Sequence, residues 1–143
     1  MTNYKRILVA VDGSDQSEAA FYEAVNLAKA FGSSLSLASV IDVRSFPTFT
    51  AEGRTWEAEL RADVEEILAK YVQIAKEKGV ESVGTFLEVG NPKKLLTEEI
   101  PDLYGADLIV CGAMGLSRLE KVLMGSISSY IVKHAKCNVL IAR

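Results

Sequence analysis

Several residue types are scarce in this chain of 143 residues, and each scarcity argues against a class of protein. With two cysteines and one histidine, no His/Cys/Asp/Glu cluster has the spacing of a metal site. We expect Cys111 and Cys137 to be reduced thiols in a cytoplasmic protein. No apolar run approaches the ~20 residues that span a bilayer, so we expect no membrane partner. The first 12 residues become acidic too soon for a signal peptide.

Basic side chains are neither abundant nor clustered. The formal net charge is −3, and Lys93-Lys94 is only a pair, whereas binding to a nucleic-acid backbone usually needs a basic face. We therefore expect no nucleic-acid partner. With 49% hydrophobic and 24% charged residues, the composition is that of an ordinary globular protein. The length predicts one domain over residues 1–143.

Apolar stretches alternate along the chain with segments of helical periodicity. One helix is predicted to begin at the N-cap Ser14 and to end at Gly32, and the segment 42–53 between a strand and a helix is predicted to be a loop. Pro101 predicts an early end or a distorted last turn in the helix that begins at Asn91-Pro92. The predicted strands are residues 5–11, 35–41, 83–89, 108–111 and 138–143, and the helices are 14–31, about 60–75, 91–103 and about 126–135.

This alternation predicts an α/β protein, a doubly wound five-stranded parallel sheet of order 3-2-1-4-5 with helices on both faces. The two most uniformly apolar strands, the first and the fourth, are expected to lie centrally and side by side. The direction of winding reverses between them, and ligands bind outside the carboxyl ends of strands at such a point. Asp12 and Gly112 follow those two ends, so we expect both in one crevice.

The most informative segment runs from Leu108 to Tyr130. An apolar strand is followed at once by Gly112 and Gly115, and Gly125-Ser126 comes after nine further residues, where a helical pattern begins. Glycine lets backbone N–H groups approach a ligand, and a helix N-terminus offers unpaired N–H donors with a partial positive charge. Strand, glycine loop and helix start together predict a phosphate site.

Neither common phosphate motif is present, because the segment is neither a Walker A loop nor G-x-G-x-x-G. The sequence therefore predicts a phosphate site built from two separate groups of backbone amides. Backbone amides near Gly112–Gly115 suit one part of a phosphate chain, and those of Ser126-Ile127-Ser128 suit another. Phosphate repels Asp12, which fits a ribose hydroxyl better. Val11 and Val40, at the ends of neighbouring strands, are predicted to offer apolar contact and backbone polar groups to a base.

The spacing G112-x2-G115-x9-G125-S126, with V-A-V-D-G-S at 9–14 and V-I-D at 40–42, resembles the ATP-binding branch of the universal stress protein family. The resemblance covers essentially the whole chain and implies an adenine nucleotide alpha hydrolase-like fold. It implies ATP as ligand, with Mg²⁺ or Mn²⁺ carried by the nucleotide. The residues implied are Asp12 for ribose, Val11 and Val40 for adenine, and Gly112, Met114, Gly115, Gly125, Ser126, Ile127 and Ser128 for the phosphates.

The resemblance also implies a homodimer joined through the terminal strand, Val139 to Ala142, whose apolar sequence suits an exposed sheet edge. It favours a nucleotide-dependent regulator in the stress response. Two alternatives stay open, a slow ATPase or self-phosphorylating enzyme and a dimeric scaffold that holds AMP or no ligand. Arg118 and Lys121 are equally compatible with contact to a γ-phosphate and with solvent exposure. The glycines, Ser126 and Asp12 are also compatible with turn and cap roles alone.

Overall fold

The computed structural model describes residues 3–42, 44, 51–113 and 125–143. Along the chain these form β1 (Arg6–Ala10), α1 (Asp15–Phe31), β2 (Ser34–Asp42), α2 (Ala51–Glu77), β3 (Val83–Gly90), α3 (Pro92–Lys94), a π-helical segment (Leu95–Glu99), α4 (Ile100–Tyr104), β4 (Leu108–Gly112), α5 (Ser126–His134) and β5 (Asn138–Ala142). The strands pair in parallel in the order β3-β2-β1-β4-β5. The predicted fold class and strand order are confirmed.

The two faces of the sheet carry separate apolar cores, because successive side chains of a strand point to opposite sides. Ile7 and Val9 pack with Phe21 of α1 and Leu68 of α2 on one face. On the other face, Leu8 and Ile109 pack with Ile100 and Ile131, which belong to α4 and α5. Burial of each such aliphatic side chain contributes roughly 1.5–3 kcal/mol. The sheet is therefore covered on both faces, as predicted.

Helix α1 begins and ends where the sequence predicts. The Ser14 side chain accepts a hydrogen bond from the N–H of Ser17, and Asp15 and Glu18 place negative charge at the positive end of the helix. Gly32 ends the helix with φ +68°, and its N–H donates to the carbonyl of Ala28. This positive φ explains why a glycine stands there.

The predicted loop over 42–53 is wrong at both of its ends. Asp42 is still in β2, where it is paired with Gly90 of β3, and α2 begins at Ala51. The apolar periodicity that marked α2 begins only at Leu60, so the first turns carry no such signal. Helix propagation adds one hydrogen bond per residue, which is enough to extend a helix through Gly53 at a cost of about 1 kcal/mol.

The helix around Pro101 is distorted, but the distortion lies one turn earlier than predicted, and the helix does not end early. Proline has no N–H to donate and its ring crowds the carbonyl four residues earlier. The turn before Pro101 is π-helical, and in it the N–H of Ile100 donates to the carbonyl of Leu95. The helix then continues to Tyr104 and ends at Gly105.

Candidate functional site

A network of short polar residues builds the loop between β1 and α1. The Asp12 carboxylate accepts from the N–H of Ser14 at 2.9 Å, and the N–H of Asp12 donates to the Ser17 hydroxyl at 3.2 Å. Ser17 in turn donates its own N–H to the Ser14 hydroxyl at 3.1 Å. The Asp12 side chain is thus held in place by one carboxylate oxygen, while the residue remains exposed at the end of β1.

Gly112, the last residue of β4, touches the start of both α1 and α5. A Cβ at this position would lie 2.9 Å from the backbone carbon and oxygen of Gln16, so only glycine allows β4 and α1 to approach this closely. The carbonyl of Gly112 accepts a hydrogen bond from the Ser128 hydroxyl at 2.5 Å. The carbonyl of Ala113 accepts from the N–H of Gly125 at 2.7 Å. The two helix starts therefore meet at the end of β4.

The start of α5 has no side-chain cap. Gly125 is the N-cap residue, the first turn holds no acidic residue, and the first backbone bond runs from the N–H of Ser129 to the carbonyl of Gly125. Within the described chain, no partner accepts from the N–H groups of Ser126, Ile127 and Ser128. Unpaired N–H groups at a helix start, with the dipole behind them, attract an anion.

Cys111 lies beneath this helix start, and its thiol is unreactive at neutral pH. Burial raises the pKa of its thiol to about 11, although a hydrogen bond with Ser128 acts in the opposite direction. A thiol with this pKa is protonated at neutral pH and is a poor nucleophile. Both cysteines are free among the described residues, as expected, and burial also raises the pKa of Cys137.

The main chain of Val40 faces the gap between β2 and β1. Odd-numbered residues of β2 bond to β3, as the N–H of Leu35 does to Ser82, and even-numbered ones bond to β1. Pairing with β1 ends where the N–H of Val11 donates to the carbonyl of Ala38 at 2.8 Å. The next even residue is Val40, and no described residue accepts its N–H. A donor and an acceptor are thus left at the edge of the crevice, close to Asp12.

Val11 and Val40 do not share a face of the sheet. The Val11 side chain packs with the core below α1 and α2, whereas Val40 packs on the opposite face. Ala10 lies on the same face as Val40. The sequence analysis missed Ala10, because the two-residue alternation within β1 and within β2 does not say which residues of the two strands share a face. The structure therefore brings Asp12, Val40, Gly112, Gly125 and Ser126–Ser128 to one end of the sheet, with Val11 below it.

Part of the predicted site lies outside the described residues. Met114 and Gly115, together with Arg118 and Lys121, fall in the segment 114–124. In residues 3–42, 44, 51–113 and 125–143, no group of three or more His, Cys, Asp or Glu side chains is arranged to hold a metal ion. Within the same ranges, none of the helices has the length and apolar character that a membrane span requires.

A doubly wound parallel sheet with an uncapped helix start beside its switch point defines a class of α/β proteins, many of which bind ligands at that point. Comparison with known proteins narrows the class. The model of the universal stress protein family matches residues 3–143, so the chain belongs to that family. A putative universal stress protein of Staphylococcus haemolyticus is 39% identical over 143 residues, which is 100% of this chain and 87% of the relative.

Solved structures agree with this assignment. The universal stress protein UspA from Lactobacillus plantarum is 32% identical, with a TM-score of 0.87 and 100% of both chains covered. A universal stress protein in complex with cAMP is 29% identical, with a TM-score of 0.73, and the match covers 99% of this chain and 98% of that one. The resemblance inferred from the glycine-serine spacing is therefore confirmed at the level of the family.

Proposed function

We propose that this protein binds an adenine nucleotide, ATP with Mg²⁺ or Mn²⁺ carried on its phosphates, in the crevice at the ends of β1 and β4. The start of α5 supports the proposal most directly. Its first N–H groups lack partners among the described residues and no acidic residue lies in its first turn. We assign the phosphates to these groups of Ser126, Ile127 and Ser128, together with Gly125 and the predicted contacts of Gly112, Met114 and Gly115.

Asp12 and Val40 supply the two other parts of the proposed site. One carboxylate oxygen of Asp12 is held by Ser14, which orients the side chain for a ribose hydroxyl. The main-chain N–H and C=O of Val40 face the same crevice, and such a donor–acceptor pair suits the edge of a purine. Val11 lies below the site and is assigned a supporting contact. The 29% identical relative in complex with cAMP favours an adenine nucleotide over other anions.

Titration calorimetry tests the proposal. Protein stripped of nucleotide by denaturation and refolding is titrated with ATP and Mg²⁺, and saturable binding is expected. Absence of binding at millimolar ATP would contradict the proposal. Mass analysis of the nucleotide released from freshly purified protein distinguishes ATP from AMP and from an empty scaffold. Because no general base has been identified in the described site, we expect little phosphate release from bound ATP.

We further propose that the protein acts as a homodimeric, nucleotide-dependent regulator in the cytoplasmic stress response. β5 lies at the sheet edge, and Val139, Leu140 and Ile141 remain partly exposed there. The carbonyl of Ala142 accepts from the N–H of Ala113, so alternation turns the polar groups of Val139 and Ile141 away from β4. Among the described residues these groups have no partner, so they suit a second copy of the strand.

Light scattering tests the dimer. The wild type is expected to have twice the mass of the chain. Val139→Pro removes one outward N–H without removing a bond to β4, so we expect a shift toward monomer. Retention of the circular dichroism spectrum serves as the control for folding. A wild type of monomer mass across micromolar concentrations would contradict the proposed dimer, and a dimer unchanged by the substitution would move the interface elsewhere.

A further inference from the structure

Two adjacent lysines stand in α3, at the start of the helix that runs from Pro92 through the π-helical turn to Tyr104, and they differ in exposure. Lys94 is exposed, whereas Lys93 is half-buried. Asn91 accepts a hydrogen bond from the backbone N–H of Lys93 at 3.0 Å. Among the described residues, no carboxylate forms an ion pair with the Lys93 ammonium and no acceptor bonds to it. Its charge is therefore left for another partner.

The neighbours of Lys93 show which side of this helix it occupies. Leu95 faces the end of β3, because a Cβ on Gly90 would lie 2.9 Å from its Cδ1 atom. Leu96 points into the core on the sheet. Thr97 follows on the side away from β3, where α5 packs, and it is 3% exposed. Lys93 precedes Leu95 by two residues and Thr97 by four, so it lies opposite the former and on the same side as the latter.

This side of the helix meets the start of α5. Cα atoms of α3 lie within 8 Å of Cα atoms of α5, and the π-helical turn also packs against α5. Both helices begin at the carboxyl end of the sheet and run back along it, so their first turns lie side by side. Helical side chains tilt toward the N-terminus of their helix, which directs the flexible stem of Lys93 toward that end. The N–H groups of Ser126, Ile127 and Ser128 lie at the same end.

The free protein therefore holds a cation next to the positive end of a helix. Such a placement is unfavourable, because the dipole of α5 and the ammonium repel each other. Neither α3 nor the first turn of α5 contains an acidic residue that would offset the repulsion. The first acids that follow Lys93 in its own helix, Glu98 and Glu99, come more than one turn later. An anion bound between the two helix starts is attracted by both groups at once.

We infer that Lys93 is a phosphate-binding residue of the nucleotide site, and that its ammonium contacts the phosphate chain from the side of α3. The inference rests on the proposed function. It adds a charged side chain to a site whose assigned phosphate contacts are mainly backbone N–H groups. Lysine binds phosphate as a point charge on a flexible stem, so the contact contributes attraction without requiring one fixed geometry. Lys94, which is exposed, has no such role.

Titration calorimetry of Lys93→Gln with ATP and Mg²⁺ tests the inference. Because the lysine is half-buried beside the proposed phosphates, we expect about five- to tenfold weaker binding of ATP than in the wild type. The affinity of the variant is expected to fall less steeply between about 50 and 200 mM salt, since one charged contact is lost. The melting temperature of the free variant is expected to be equal or slightly higher, because the substitution removes a cation beside a positive helix end.

Two matched variants serve as controls. Lys94→Gln removes the same charge one residue away, at an exposed position, and is expected to bind ATP within twofold of the wild type. Lys93→Arg keeps the charge and is expected to bind ATP within about threefold of the wild type. The first control separates a direct contact from the general electrostatic field of the protein, and the second separates the charge from the packing of the side chain.

The possible outcomes decide the matter in each case. If Lys93→Gln bound ATP within twofold of the wild type, the inference would be overturned while the proposed function would stand. Equal losses in Lys93→Gln and Lys94→Gln, an unchanged salt dependence, or a lower melting temperature of free Lys93→Gln would also overturn it, since the effect would then be unspecific or structural. A wild type that binds no adenine nucleotide would overturn the inference and the proposed function together.

Discussion

The two helices whose first turns approach Gly112 begin in opposite ways. At the start of α1, Ser14 caps the helix and Asp15 and Glu18 carry negative charge in the first turn. At the start of α5, the N-cap is Gly125, no side chain caps the helix and the first turn has no acidic residue. The first arrangement stabilises the helix on its own, whereas the second leaves N–H donors for something else to satisfy.

The two helix starts therefore differ in whether they favour an anion. Both helix starts point positive ends toward the end of β4, yet only one is free of negative side chains. Carboxylates at α1 repel phosphate and suit hydroxyl groups, and the uncapped start of α5 attracts phosphate. A ligand with a polyanionic end and a hydroxylated middle, such as a nucleotide, matches both starts in a single orientation. Three substitutions test this contrast.

The largest effect is expected when α5 is made to resemble α1. Ser126→Asp places a carboxylate in the first turn of α5, where it competes with phosphate for the same N–H groups. Because residue 126 is exposed, we expect a loss of about 1.4–2.8 kcal/mol in binding, which is about 10- to 100-fold weaker affinity for ATP by calorimetry. The melting temperature of the free protein is expected to rise slightly, since an acid favours a helix start.

The neutral variant Ser126→Asn provides the matched control for that experiment. It is nearly isosteric with aspartate and places an amide at the same first helical position, but it carries no charge. We expect it to retain most of the affinity for ATP. If Ser126→Asp bound ATP as tightly as Ser126→Asn did, charge at this helix start would not matter and the phosphates would have to lie elsewhere.

An intermediate effect is expected at Gly112, where the starts of α1 and α5 meet. Gly112→Ala adds a Cβ that would lie 2.9 Å from backbone atoms of Gln16, which cannot move as a flexible side chain does. We expect chemical denaturation to show a loss of about 1–2 kcal/mol in the free energy of unfolding. Gly84→Ala is the comparison, because its Cβ would meet only the Ser36 hydroxyl at 3.2 Å. Equal losses in the two variants would contradict this account of Gly112.

The sequence predicted the sheet and its order because burial on both faces leaves a strong pattern. Uniformly apolar β1 and β4 indicated the centre, and the glycine-serine spacing indicated the family. The first turns of α2 were missed because the apolar periodicity was recognised only from Leu60 onward. The contact between Gly112 and Gln16 could not be predicted from the sequence either. It joins two elements whose distance depends on packing rather than on local propensity.

The candidate site was predictable in part for the same reason. Asp12 and Gly112 were expected in one crevice because the switch point follows from strand order alone. That Val11 and Val40 point to opposite faces required the register of β1 against β2, which the sequence does not state directly. Local patterns thus located the ends of strands, and only packing located the side chains around them.

The smallest effect is expected at the start of α1, on stability alone. Ser14→Ala removes the side chain that accepts from Ser17, and the loss of an N-cap costs about 1 kcal/mol of unfolding free energy. Ser14→Asp keeps an acceptor at the cap and is expected to lie within about 0.5 kcal/mol of the wild type. Because the proposed site does not place the phosphates at the capped start of α1, both variants are expected to bind ATP within threefold of the wild type by calorimetry. An affinity loss in Ser14→Ala as large as that in Ser126→Asp would mean that the two helix starts share the phosphates, and the contrast between them would no longer explain where the anion binds.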